Sequence, residues 1–306
     1  MIEVAIMVEG QNGLNWERWQ RIARAVEDLG FVGLYRSDHY TNANPPDMDS
    51  LELWVSLTWL ASHTQRIEFG PLVSPVSFRH PTMTARMAAA VDDLSNGRLT
   101  LGLGAGWQER EHTHYGWDLL PVGPRFARFQ EGLEIVTRLF NSAEPVYFHG
   151  DYYNVQEGVL LPRPQRPGGP PLLIGGNGPL RTLPLTARYA REWNAVYMPR
   201  AEFVERNALL DEMLAENGRS PSSMRRSLMT RVEIGDDAAL GRKFTQATPA
   251  ELRQRGLVLG TPAAIVEQLG SWHEAGVQRI MLQWLDLDDM AGLETLGTQV
   301  LPQLGA

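Results

Sequence analysis

The sequence predicts a (β/α)8 barrel that spans residues 1–306 as a single domain. Short β-rich runs alternate with longer helical patterns, which gives eight strand–helix units in about the length of such a barrel. A doubly wound open sheet shows the same alternation, but the count of eight favours the barrel. In addition, no Gly-x-Gly-x-x-Gly spacing follows the first strand, where the chain reads MVEGQNG from Met7 to Gly13.

The barrel strands are predicted from apolar, β-branched runs. In chain order these runs are 2–8, 31–35, 66–73, 98–103, 172–174, 193–196, 227–234 and 277–283. The helices are predicted from apolar residues near helical spacing, over 15–29, 51–62, 81–94, 125–140, 180–190, 201–217, within 249–256, 262–275 and 290–301. Asn15 and Pro81 are typical of helix starts, and Gly30 is typical of a helix end.

One segment, residues 141–171, departs from the alternation. It holds two short strand-like runs, 146–148 and 152–155, followed by the proline-rich tract PRPQRPGGPP from Pro162 to Pro171. This pattern predicts a hairpin insertion with a stiff tether and does not indicate a second domain.

The composition excludes several classes of function. Lys and Arg number 28 against 36 Asp and Glu, and the net charge of −8 argues against a nucleic-acid partner. Cysteine is absent, which excludes disulfides, thiolate metal sites and a cysteine nucleophile. The N-terminal residues lack the pattern of a signal peptide, and there is no run of 18 apolar residues. We therefore expect no membrane association and a cytoplasmic setting.

The most distinctive polar segment is Ser37-Asp38-His39, directly after the second strand. Barrel enzymes place their chemistry at the carboxyl ends of the strands. A carboxylate beside an imidazole can fix its tautomer and move its pKa, so His39 is a candidate acid or base, held by Asp38. A histidine that only bonds loop backbone is an equally good interpretation of the position.

Two glycine-rich segments also follow strands. Gly175-Gly176-Asn177-Gly178 precedes a helix, and Gly104-Ala105-Gly106-Trp107 follows the fourth strand. Backbone N–H groups at such a turn can approach a phosphate, with help from the helix N-terminus. A tight strand-to-helix turn also requires glycine, so both interpretations remain open.

Two further positions allow alternative interpretations. His112 and His114 lie two residues apart near acidic side chains, but a solvated loop explains the pair better than a metal site does, and we expect no metal. Glu9, after the first strand, is a candidate contact for a polar substrate or an ion-pair partner of an arginine such as Arg36.

Taken together, these segments resemble the luciferase-like monooxygenase superfamily, closest to its deazaflavin (coenzyme F420)-dependent branch. The resemblance covers nearly the whole chain in family order. It rests on GFVGLYRSDHY (30–40), RIEFGPLVSPVSFRHP (66–81), DDLSNGRLTLGLGAGWQEREHTHYG (92–116), PPLLIGGNGPLRTLPLTARYAREWNA (170–195) and GTPAAIVEQLGSWHEAGVQRIMLQ (260–283).

The resemblance implies a cofactor at the C-terminal mouth of the barrel. The family's catalytic positions match Asp38 and His39, with Ser37 among the cofactor contacts. A non-proline cis peptide behind the cofactor ring matches Leu72–Val73. The loop Gly104–Trp107 and the turn Gly175–Gly178 match the backbone around the cofactor tail and phosphate. Leu72 replaces the small residue that many members carry at the first cis position.

These implications lead to one expected function and two alternatives. We expect an F420-dependent oxidoreductase that transfers a hydride to or from a small organic substrate, with His39 as the acid/base group. The alternatives are an FMN-dependent monooxygenase, supplied with reduced flavin by a partner reductase, and a non-catalytic flavin-binding relative. The resemblance also implies a homodimer.

Overall fold

The computed structural model describes residues 1–304, which form a parallel barrel wrapped by helices. Its eight strands are β1 (Glu3–Val8), β2 (Gly33–Arg36), the pair β3 (Glu68–Pro71) and β4 (Ser74–Pro75), β5 (Leu101–Gly104), β8 (Leu172–Gly175), β9 (Glu192–Val196), β10 (Arg225–Ile234) and β12 (Arg279–Trp284). Here β3 and β4 are two pieces of a single strand. The barrel predicted from the sequence is confirmed.

The strands pair in the order β3-β2-β1-β12-β10-β9-β8-β5-β4, and all of these pairings are parallel. Because β3 and β4 belong to one strand, the two ends of this path meet and the sheet closes. A bridge between Phe69 and Leu99 supports the closure. A further short strand, β11 (Val258–Gly260), pairs in parallel with the last residues of β10 and was not expected from the sequence.

The helices cover the outside of the barrel. They are α1 (Trp16–Asp28), α2 (Leu53–His63), α3 (Pro81–Leu94), α4 (Glu109–Tyr115), α5 (Val122–Asn141), α6 (Thr182–Tyr189), α7 (Arg200–Glu216), α8 (Asp237–Lys243), α9 (Pro249–Gln254), α10 (Pro262–Glu274) and α11 (Met290–Thr295). The short helices α4 and α8 were not expected. Across residues 1–304, no helix combines the length and apolar character that a membrane crossing requires.

Strand alternation divides the buried side chains into two layers. On β12, Ile280 and Leu282 pack outward against the helices, whereas Met281 faces the barrel interior. The interior layer is small and rich in methionine; it contains Ala5, Met7, Tyr35, Leu72, Leu173, Met229 and Met281. Successive side chains of a strand point to opposite faces, so this pattern fixes which residues face the barrel axis at either end.

The insertion at 141–171 contains the expected antiparallel hairpin, β6 (Val146–His149) and β7 (Asn154–Gly158). Its turn is anchored on α5, where the carboxylate of Glu131 accepts hydrogen bonds from the backbone N–H groups of Asp151, Tyr152 and Tyr153. The hairpin therefore packs on the outer ring of helices and leaves the barrel strands uninterrupted.

Candidate active site at the carboxyl end of the barrel

The mouth of the barrel is built from inward-facing positions at the carboxyl ends of the strands. On β1, the alternation that turns Ala5 and Met7 inward carries Glu9 to the rim, and on β12 it carries Gln283 there. The same rule places Ser37, Gly104, Gly175, Val196 and Arg231 at this end. The strand ends thus bring most of the sequence-predicted residues together.

Val73 forms the floor of one side of the mouth and packs against glycines. A β-carbon at Gly104 would lie 2.6 Å from the Cγ2 methyl of Val73. β-Carbons at Gly102 and Gly175 would each lie 3.2 Å from its Cγ1 methyl. These glycines therefore make room for the valine side chain. The peptide bond between Leu72 and Val73 is cis, as expected. The result is an apolar surface at the ends of β4, β5 and β8.

The turn Gly175–Gly178 joins this floor to α6. Gly176 has φ of +125°, a conformation that favours glycine, and the carbonyl of Gly178 accepts hydrogen bonds from the N–H groups of Thr182 and Leu183. The side chain of Asn177 is already paired, since it donates to the carbonyl of Val196 and accepts from its N–H group. Asn177 thus ties the turn to β9, and Gly176 is tied there as well, since its N–H donates to the carbonyl of Asn194 and its carbonyl accepts from Trp193 Nε1.

His39 is held by Glu111, a residue of α4. Its Nδ1 lies 2.9 Å from Glu111 Oε1 and 3.4 Å from Gln108 Nε2, and its ring meets Trp107 edge-on with centroids 5.5 Å apart. Only 14% of the His39 side chain is exposed, and Glu111 is fully buried. The expected pairing of His39 with Asp38 is therefore wrong, because neighbouring residues at a strand end point in different directions.

Asp38 belongs to a separate, buried ion-pair cluster. Its carboxylate accepts hydrogen bonds from Ser74 Oγ at 2.7 Å and from Arg79, whose Nη2 also contacts Glu52 at 2.8 Å and the hydroxyl of Tyr40 at 2.9 Å. Burial raises the pKa of Asp38, although the charge of Arg79 acts in the opposite direction. Asp38 thus fixes the loop that carries His39 and does not touch the imidazole.

The electrostatic surroundings of His39 favour its protonated form. Burial alone would lower the pKa of His39. The hydrogen bond and charge of Glu111, together with the charges of Glu9 and Asp38, outweigh this effect and raise the pKa above its ordinary value of 6.5. Because Nδ1 is committed to Glu111, Nε2 is the ring atom that can exchange a proton with a bound molecule.

A second set of hydrogen-bonded polar side chains lies at the mouth, on the side opposite the Val73 floor. We call it the rim network; its members are Tyr197, Gln283, Glu9, Gln11 and Ser37. Tyr197 donates from its hydroxyl to Gln283 Oε1, and Gln283 Nε2 donates to Glu9 Oε1 at 2.6 Å. From the other side, Ser37 Oγ donates to Gln11 Oε1 at 2.8 Å, and Gln11 Nε2 donates to Glu9 Oε2 at 3.1 Å. The rim network therefore joins the ends of β9, β12, β1 and β2.

Tyr197 is a site residue that the sequence analysis missed. It has φ of +42°, which is unusual for a bulky side chain, and such conformations cluster at functional sites. Burial and the charge of Glu9 raise the pKa of its hydroxyl to about 12, against the effect of Arg231. No sequence motif marks this position, because the residue follows an ordinary buried strand.

The loop Gly104–Trp107 is fixed from behind by His112. His112 Nδ1 lies 2.6 Å from the carbonyl of Gln108, and its Nε2 lies 2.8 Å from Ser77 Oγ. Gly106 has φ of +88°, and its carbonyl accepts a hydrogen bond from Arg125. The expectation of a solvated loop is therefore wrong for His112, which is buried with both ring nitrogens committed to protein partners.

Glu9 does not form the ion pair that was considered with Arg36. The guanidinium of Arg36 is buried and donates to Ser56 Oγ at 2.7 Å and to the carbonyl of Leu51 at 2.6 Å. Glu9 accepts hydrogen bonds from the neutral amides of Gln11 and Gln283 instead. The ion-pair interpretation is therefore wrong, and a contact between Glu9 and a polar substrate stays a prediction.

Comparison with known proteins gives relatives over the whole chain. An F420-dependent hydroxymycolic acid dehydrogenase of Mycobacterium tuberculosis (strain ATCC 25618 / H37Rv) is 27% identical, in an alignment that covers 92% of this chain and 83% of that protein. An F420-dependent glucose-6-phosphate dehydrogenase of Microbacterium testaceum (strain StLB037) is 25% identical over 91% of this chain and 90% of its own.

The fold has close counterparts among solved structures. That of an F420-dependent secondary alcohol dehydrogenase in complex with an F420-acetone adduct superposes with a TM-score of 0.87, at 17% identity and over 99% of both chains. The model of the luciferase-like monooxygenase family matches residues 2–243, well over half of the sequence. This chain therefore belongs to the luciferase-like monooxygenase family.

Proposed function

We propose that this protein is an F420-dependent oxidoreductase, which transfers a hydride between the deazaflavin and a small organic substrate. The observation that carries the proposal is the geometry of His39, a shielded imidazole held by a buried carboxylate at the same end of the barrel as an apolar, glycine-lined floor. The Mycobacterium relative, whose name includes F420 dependence, supports the choice of cofactor.

The residues at the mouth suit a flat ring with an anionic tail. The floor of Leu72 and Val73 is apolar, and the glycines around Val73 keep side chains out of the space that a ring would need. In the turn Gly175–Gly178 the N–H of Gly176 is bonded to Asn194, and the N–H groups of Asn177 and Gly178, just before α6, are the ones that suit a phosphate. Arg181, exposed at the N-terminus of α6, adds a positive charge beside the turn.

The cofactor, when bound, supplies the hydride chemistry, and the protein supplies a proton site. His39 holds or accepts that proton at Nε2, because Nδ1 is committed to Glu111. Glu111 orients the ring and stabilises the imidazolium that forms when a substrate hydroxyl loses its proton. Trp107 covers the edge of the imidazole and limits the access of water to it.

A fluorescence titration with F420 and with FMN tests the proposal. We expect F420 to bind with micromolar or better affinity and FMN to bind more weakly. Tighter binding of FMN would move the assignment to an FMN-dependent monooxygenase, an alternative that the family's own description supports. That enzyme would consume oxygen and require a reductase partner, and oxygen uptake with reduced FMN would identify it.

We also propose that the protein is a homodimer. Apolar side chains are exposed on neighbouring outer helices, with Val55 of α2 57% exposed and Met83 of α3 51% exposed. Covering this surface with a second copy would remove apolar area from water. Sedimentation velocity at micromolar concentration is expected to give the mass of a dimer, and a single monomeric species would refute it.

A further inference from the structure

We propose that Glu9, Gln283 and Tyr197 form the substrate-recognition wall, and that this wall selects alcohols or amino alcohols and rejects substrates with an anionic group. The inference rests on the proposed function for the identity of the cofactor. It names the class of substrate, which the relatives leave open, since one is named for hydroxymycolic acid and another for glucose 6-phosphate.

The direction of the hydrogen bonds shows what the wall can still accept. Both arms of the rim network point toward Glu9: Tyr197 donates to Gln283 and Gln283 donates to Glu9, while Gln11 donates from the other side. A carboxylate has about four lone-pair positions, and two are used here. The spare capacity of the wall is therefore acceptor capacity, which suits a hydroxyl or ammonium group.

The carboxylate of Glu9 makes the charge at the wall negative, and the imidazole of His39, whose pKa is raised in part by Glu9, is already held by Glu111. The two hydrogen-bond donors to Glu9 are neutral amides, and no cation among residues 1–304 contacts its carboxylate directly. Arg231 is the nearby inward-facing cation, but its Nε and Nη2 both donate to Glu233 and its guanidinium lies 4.8 Å from the ring centroid of Phe244. A phosphate or carboxylate beside Glu9 would meet like charge in a partly buried place.

The side chains of this wall are also held in place. Gln283 is only 6% exposed, and it receives a hydrogen bond from Tyr197 while it donates one to Glu9. Tyr197 is held in its unusual backbone conformation, with the N–H group donating to the carbonyl of Met229. A substrate group therefore meets a fixed arrangement of acceptors, which is what discrimination between similar ligands requires.

A charge series of matched alcohols tests the proposal. The ligands are cyclohexanol, trans-4-aminocyclohexanol, trans-4-hydroxycyclohexanecarboxylate and glucose 6-phosphate, titrated calorimetrically into the F420-loaded protein and assayed for F420 reduction. We expect the neutral and cationic alcohols to bind at least about tenfold more tightly than the carboxylate, and glucose 6-phosphate to give no saturable turnover.

Glu9→Gln removes the charge and keeps a hydrogen-bonding side chain of the same length. We expect this variant to reduce the spread of affinities in the series to within about threefold, with the affinity for F420 unchanged. Glu17→Gln is the matched control, because Glu17 is an exposed carboxylate on α1, and it should retain the full spread. A thermal melt verifies that both variants fold.

Three results would overturn the proposal: equal affinities across the series in the parent protein, preference for the carboxylate or the sugar phosphate, or no binding of the neutral and cationic members. A failure of the proposed function looks different, because F420 itself would then not bind. In that case the same calorimetric series, run on the protein without F420, still measures the charge preference of the wall. The same three results would then overturn the proposal.

Discussion

The two ends of the barrel interior use the same strand alternation for opposite purposes. At the amino end, Arg279 is fully buried and its guanidinium contacts Glu3 and Glu68, each at 2.8 Å, and the hydroxyl of Tyr35 at 2.6 Å. Glu192 lies 3.6 Å away. At this end, charged groups compensate one another inside the sheet and close the barrel.

At the carboxyl end the inward positions include glycines, amides and the carboxylate of Glu9, and the inward-facing Arg231 donates to Glu233. Gly104 and Gly175 leave space in front of Val73, and Glu9 retains unused acceptor capacity. The amino end is therefore a structural plug, whereas the mouth keeps space and hydrogen-bonding capacity for a bound molecule. Barrel enzymes as a class divide stability and function in this way.

The largest expected effect is on catalysis at the mouth. His39→Ala should reduce turnover by about 10²–10⁴-fold, because a positioned imidazole typically contributes that much to proton transfer. The affinity for F420 should stay within a few-fold of the parent value, measured by fluorescence titration. His114→Ala, at an exposed histidine of α4, is the control and should retain parent activity. Parent turnover in His39→Ala would favour a role confined to binding.

Substitutions in the plug at the amino end should change the free energy of unfolding. Arg279→Met removes the cation that Glu3, Glu68 and the buried Glu192 share, and it should lower the free energy of unfolding by about 3–5 kcal/mol, because Glu192 would lose its main counter-charge. Urea denaturation monitored by circular dichroism measures this. Arg225→Met, at the partly exposed arginine of the same cluster, should cost less. A loss below about 1 kcal/mol for Arg279→Met would mean that the plug does not stabilise the barrel.

The glycine-lined floor gives the next test. In Gly104→Ala, the new methyl group would lie 2.6 Å from a Val73 methyl, so the valine side chain or the backbone around it must shift. We expect the affinity for F420 to fall at least about tenfold, since a gain of bulk in a packed site costs about 1–3 kcal/mol. Gly123→Ala is the control, because nothing lies within 4 Å of its new methyl group. Equal affinities of the two variants would argue against this floor as the ring site.

The smallest effect concerns pH. The pKa of His39 is raised in the folded chain, so its protonation stabilises the fold below the ordinary value of 6.5, and this contribution is lost as the pH rises through the raised pKa. Glu111→Gln removes the main charge responsible and should move the histidine limb of the pH–rate profile to lower pH. An unchanged limb would show that another group titrates in the parent enzyme.

The sequence predicted the barrel because each strand is a continuous apolar run and each long helix has an apolar face. It missed β11, which has only three residues, and α4, which begins at Glu109 and whose N-cap residue Gln108 makes no side-chain capping bond. Elements this short depend on tertiary contacts, and their local sequence carries little signal.

The site was predictable where it lies in one segment and not where it is assembled from distant ones. Ser37, His39 and the two glycine-rich segments stand directly after strands, so their place at the mouth followed from the fold. The partnership of His39 with Glu111 joins residues 72 positions apart and depends on α4. The rim network from Tyr197 to Glu9 likewise joins separate strand ends, which no local pattern can indicate.

The edge-on contact between Trp107 and His39 also has an optical consequence. A protonated imidazole quenches the emission of an adjacent indole, and Trp107 is 63% exposed, so its emission should lie at longer wavelength than that of buried tryptophans such as Trp19 and Trp193. The red edge of the intrinsic fluorescence should therefore follow the proton on His39. The molecule thus carries a label-free indicator of its own acid/base group.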